Sequence, residues 1–145
     1  MDGYRLIDFF LTFPFELGVV RLRGSKLKTL AQSFETFRPY RWTSDPLYTF
    51  LQMIEFQTVA VGALVKKGVL NANAFDSDKF EISADYVVHS ELSAQVDEFI
   101  STRFAALEAL LEVIDEHGIT GKDGLKARSG LMPYKYDVGA NVVLD

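Results

Sequence analysis

The chain has 145 residues, 48% hydrophobic and 24% charged, with 15 Lys and Arg against 20 Asp and Glu for a formal charge of −5. That length and composition fit one globular domain and exclude a disordered chain. With no cysteine, a disulfide scaffold, a thiolate nucleophile and any zinc or iron–sulfur site built on sulfur ligands are excluded as well.

Leu6, Ile7, Phe9, Phe10 and Phe13 predict a short amphipathic helix over 4–13 that Pro14 ends. The apolar run Leu6 to Leu17 is broken by Asp8, Pro14 and Glu16, and it is shorter than the ~18 to 20 apolar residues of a membrane span. No signal-peptide cleavage site follows it. A soluble, cytoplasmic protein without membrane contact is expected. Leu17 to Arg23 reads as a short strand between glycines. Gly24 and Ser25 then open a helix whose apolar face is Leu27, Leu30, Ala31, Phe34 and Phe37 and which stops at Arg38 and Pro39. Asp45 and Pro46 are a cap and a pre-set first position for a helix that runs to Lys67, with Gly68 as its left-handed stop and Val69 folding back onto Leu64.

After a weak extended stretch from Val69 to Phe75, the alternation Phe80, Ile82, Ala84, Tyr86, Val88 predicts a strand. Ser90 is the expected cap of a long helix with an apolar seam of Val96, Ile100, Phe104, Leu107, Leu111 and Ile114, ended by Gly118. Residues 119–145, with five of the glycines and prolines, read as an irregular tail with one short strand over Asn141 to Leu144.

Taken in order, these elements are helix, strand, helix, helix, small sheet and long helix. The segment from Thr58 to Leu70 (TVAVGALVKKGVL) is similar to the end of the third helix and the start of the wing in winged helix-turn-helix domains, and Leu27 to Gln32 resembles their second helix. The resemblance covers residues 4–88 and implies an α+β, mainly α-helical fold. It divides the chain into a winged-helix-like body (1–88), a long amphipathic helix packed on the body or on a partner (89–118), and the tail (119–145). Two features depart from the family: a long connection from Arg38 to Ser44, and a third helix that is apolar on most sides and has no arginine, where a DNA-reading face should be polar or basic.

Charge is unevenly spread: +3 over 1–43, −9 over 44–118 and +1 over 119–145. Arg21, Arg23, Lys26, Lys28, Arg38 and Arg41 face only Glu35, with Tyr40 and Trp42 among them, a mixture suited to phosphate and base contact. The plainer reading is a solvated face that pairs with the acidic half of the same protein.

Catalytic constellations are thin. His89 and His117 sit at opposite ends of the predicted long helix, roughly 42 Å apart at ~1.5 Å per residue, and cannot share a metal within one chain. His117 fits a helix C-terminus as a dipole partner. The acidic group Asp76, Asp78, Glu81 and Asp85 lacks an EF-hand's glycine and terminal glutamate. No cofactor or metal is expected. By contrast, 13% aromatic residues and three separate apolar surfaces demand more burial than one small domain supplies. The expected function is therefore a non-enzymatic interaction or assembly subunit, an oligomer or an accessory component of a larger complex, whose interface is Ile100, Phe104, Leu107, Leu111 and Ile114. The alternatives are a dimeric DNA-binding regulator using the basic segment 21–41, and a small enzyme or ligand-binding protein.

Overall fold

The computed structural model describes residues 2–42, 45–76 and 79–132. Its helices are α1 (Asp2–Thr12), α2 (Ser25–Ser33), α3 (Pro46–Lys66), α4 (Ala72–Asp76), α5 (Ser90–His117) and α6 (Leu125–Ser129), with 3-10 turns at Pro14–Val19 and Phe34–Phe37. The short strand expected over Asn141 to Leu144 lies outside the described residues.

The fold is mainly helical, and the winged-helix-like body with its small sheet is overturned. Among the described residues the only β pairing is a single antiparallel bridge, Leu70 to Ile82. Two backbone bonds flank it, Asn71 N–H to Glu81 O at 2.8 Å and Ser83 N–H to Val69 O at 2.9 Å. The ladder stops because the Asn71 side chain starts α4, where its Oδ1 accepts from the amides of Asn73 and Ala74. Phe80 packs on Tyr4 and Phe75, but Ile82 and Val88 stay exposed, so the alternation has no partner strand and only one end of it meets the body. The strand expected over 17–23 is likewise a 3-10 turn followed by irregular chain. Pro14 pre-sets its first position, and Phe15, Leu17 and Val20 pack inward from it.

Local signals fix α3 at both ends. The Asp45 carboxylate accepts from Leu47 N–H at 2.9 Å. At the other end Gly68 takes φ +71°, Gly68 N–H bonds Val65 O and Val69 N–H bonds Leu64 O, which is a Schellman closure. α5 begins as expected, but its cap position is His89, and neither His89 nor Ser90 caps it with a side chain.

Helix α1 is the centre of the core, in contact with α3, α5, α6 and the Pro14–Val19 turn. Phe9 lies 5.3 Å from Phe10, 5.4 Å from Phe13 and 5.6 Å from Phe50, ring centre to ring centre, the first and last edge to face. On α5 the buried residues are Ala106, Ala109, Leu110 and Val113. This face is turned by about a third of a helical turn from the seam of large side chains. Two alanines let α1 and α2 approach the α5 backbone closely, and the bulkier residues are displaced sideways. Leu125 and Leu131, from the stretch read as an irregular tail, complete the core.

Candidate functional site

The basic segment does not act as one group. Lys26 reaches Glu112 on α5 at 3.0 Å. Arg38 lies over the Phe15 ring and 3.9 Å from the Glu16 carboxylate, and Trp42 donates its indole N–H to the same carboxylate at 3.0 Å while packing on Phe13 and Phe15. Tyr40 and Arg41 stand in solvent. Arg21, Arg23 and Lys28 remain, and they line a cavity of about 390 Å³ together with Gly18, Val20, Leu22, Ala31, Gln32 and Arg128.

The cavity wall is held by Arg128, which sequence reasoning missed. Its guanidinium donates to the carbonyl of Arg21 and to the carbonyl and carboxylate of Asp123. Arg21 N–H returns a bond to Arg128 O at 3.3 Å. Arg23 shares the Asp123 carboxylate at 3.3 Å. The signal available in the sequence was the short run Leu125–Ser129 between Gly124 and Gly130, with leucines at 125 and 131 and an acid five residues before Arg128.

Burial shifts the titration of two groups. Glu16 is enclosed, and desolvation pushes its carboxyl above the usual range, against the opposing pull of Arg38 and the Trp42 hydrogen bond. Glu16 thus serves as a buried acceptor that pins Trp42 and Arg38 to the Phe13–Phe15 corner. Between its unfolded and its raised folded pKa the native state holds a proton that the unfolded chain has lost, so this contribution is complete below the ordinary carboxylate range and declines as pH rises through the folded value. Glu16→Gln keeps the acceptor for Trp42 and removes the buried charge. The gap in thermal midpoint between this variant and the wild type is expected to widen in the variant's favour from about pH 4 to about pH 7; a gap that is constant or narrows with pH contradicts the assignment.

His117 stands in the last turn of α5, the position expected of a dipole partner. Desolvation, and then the nearby Arg128, hold its imidazole below the ordinary histidine range, so the neutral form is favoured. That opposes the charged form which a helix C-terminus favours.

The expected interface residues divide along α5. Ile114 packs against the core, and Ile100 and Leu107 are half-buried. Phe104 is 54% exposed and Leu111 53%. From Ser90 to Phe99 no residue of α5 is buried, and Leu92, Val96 and Phe99 face solvent. Helix α3 is more open still. It buries Phe50, Gln57 and Val61 against the body, where Gln57 Nε2 donates to Asp8 at 2.8 Å, and leaves Tyr48, Leu51, Phe56 (76% exposed) and Val59 (68%) outside. By length and composition α3 is apolar enough to cross a membrane. The exposed side of α3 was not among the expected interfaces, although it was legible as part of a helix apolar on most sides.

Fold and faces together define a small, mainly helical protein whose two longest helices keep apolar side chains uncovered. Large uncovered apolar surface of this kind is characteristic of a chain that works in contact with others. The chain belongs to the ABC-three component (ABC-3C) system Middle Component 5 family, which it matches over residues 1–137. It is thus a component of a multi-component system. No curated protein and no solved structure matches it.

Proposed function

We propose that the protein is a non-enzymatic assembly subunit that holds another component of its system on the open faces of α3 and α5, in the cytoplasm. The observation that carries this reading is the exposure of Phe56 and Val59 on α3 and of Phe104 and Leu111 on α5. Helix-in-groove and helix-pairing contacts use such rows of apolar anchors, and interfaces of this kind are enriched in aromatic residues. A protein cover is favoured over a bilayer because α3 carries Gln52, Glu55, Gln57 and Thr58 mid-helix, and both Gln57 and Thr58 bond to α1, Thr58 by accepting from Arg5. The reading as a DNA-binding regulator has less support, since Arg38 is turned to the Phe15 ring and the buried Glu16 carboxylate, and Lys26 stands against Glu112 of the acidic α5.

Co-expression with the other components of the system tests the proposal. The wild-type chain is expected to co-purify with at least one of them, and Phe56→Asp with Val59→Asp to abolish co-purification while the circular dichroism stays unchanged. A wild-type chain that remains monomeric in light scattering with the other components present sinks the proposal, as does its partition into membranes instead.

A further inference from the structure

We infer that the cavity between residues 18–23 and α2 is a binding site for a small phosphate-bearing ligand, gripped by Arg21, Arg23 and Lys28. This site is separate from the apolar faces of α3 and α5. Its cations are not spent on the fold. Among the described residues, neither the Arg21 guanidinium nor the Lys28 ammonium has an ion pair or side-chain hydrogen bond. Arg23 has a solvent-exposed pair with Asp123, of a kind that is weak and easily exchanged. Arg128, whose side chain is 9% exposed, supplies a fixed wall and a further positive charge. Gln32 adds an amide, and the remaining lining is Gly18, Val20, Leu22 and Ala31.

The acids at the edge do not cancel this field. Asp123 is shared between two arginines. Glu35 packs against the backbone of Gly18, so closely that a Cβ there would lie 2.7 Å from its Oε1. Four basic side chains against these two carboxylates leave a surplus suited to a ligand with two or more negative charges, and the planar fork of arginine matches phosphate oxygens in pairs. The adjoining cavity shares Arg23 and has Lys26, but Glu112, Asp115 and Glu116 outnumber them and would repel the same ligand.

A small ligand is favoured over a nucleic-acid backbone for two reasons. The cavity's volume of about 390 Å³ falls in the range of small-molecule sites. Moreover Arg38, which would have to extend a phosphate track, lies over the Phe15 ring beside the buried Glu16 carboxylate.

Isothermal titration of the full chain at low salt tests this, with inorganic phosphate and pyrophosphate as probes and a short DNA duplex as the polymer arm. One equivalent of pyrophosphate is expected to bind, more tightly than phosphate. Arg21→Ala with Lys28→Ala should weaken it by about tenfold or more, because two charge-assisted contacts are lost. Lys28→Glu provides a second variant, at an exposed residue of the cavity rim, and should abolish binding. The inference is overturned by absence of pyrophosphate binding at millimolar concentration, by equal binding in the variants, or by a duplex that outcompetes pyrophosphate with the steep salt dependence of a many-phosphate contact.

Discussion

Replacing Phe9 by alanine is expected to cost about 3 to 5 kcal/mol of folding free energy. The ring is fully buried on α1 and meets Phe10, Phe13 and Phe50, so its removal opens a cavity at the point where α1, α3 and the Pro14–Val19 turn converge. Against a total stability of about 5 to 15 kcal/mol the loss is large, and for a chain of this size it corresponds to a fall in Tm of roughly 6 to 20 °C. Phe56→Ala is the control. That ring is also a phenylalanine on a helix, yet it is mostly in solvent, and its truncation should change stability by less than about 0.5 kcal/mol. Urea denaturation of the two variants beside the wild type checks both values. A Phe9 variant within about 1 kcal/mol of the wild type would mean that the aromatic centre is not the core.

The same contrast shows how far the sequence could be followed. α3 was legible at both ends because its signals are local: Asp45 before Pro46, and Lys67-Gly68-Val69, act on the backbone within one turn. The extent of α5 was legible for the same reason, but its buried face was not. Periodicity weighs large side chains, so it selected Ile100, Phe104, Leu107, Leu111 and Ile114, whereas close helix approach selects small ones, and the core took Ala106 and Ala109. The strand predicted over Leu17 to Arg23 gave way to a local signal, the 3-10 turn that Pro14 starts, whereas the one predicted over Phe80 to Val88 failed for a non-local reason. Alternation over Phe80 to Val88 describes a segment able to pair, and whether it pairs depends on another strand, which Asn71 forecloses by starting α4. The basic segment was visible as composition, but its partition was not. Glu16, Glu112, Asp123 and Arg128 decide which cations remain free, and three of those four lie at least 70 residues away in sequence.

Neighbouring leucines on α5 should give opposite results, and this pair separates core from contact surface most sharply. Leu110 is 1% exposed and sits in the central cluster with Val113 and Phe9, whereas Leu111 is one residue on, rotated by about 100° into solvent. Leu110→Asp places a carboxylate in the apolar cluster, a change that combines cavity formation with a buried charge, and a loss of at least about 4 kcal/mol is expected. Most of that variant should be unfolded or insoluble at 37 °C. Leu111→Asp leaves the body intact, because the side chain already faces water, and its circular dichroism and thermal midpoint should match the wild type. What it should lose is association. An aspartate in the middle of an apolar contact must be desolvated without a partner, at a cost of several kcal/mol, which lowers affinity by two orders of magnitude or more. Measuring co-purification and unfolding on the same preparations makes the comparison direct. If Leu111→Asp unfolds the chain, the outer face of α5 belongs to the core; if it folds and still co-purifies unchanged, the partner is held elsewhere, and the open face of α3 must carry the contact alone.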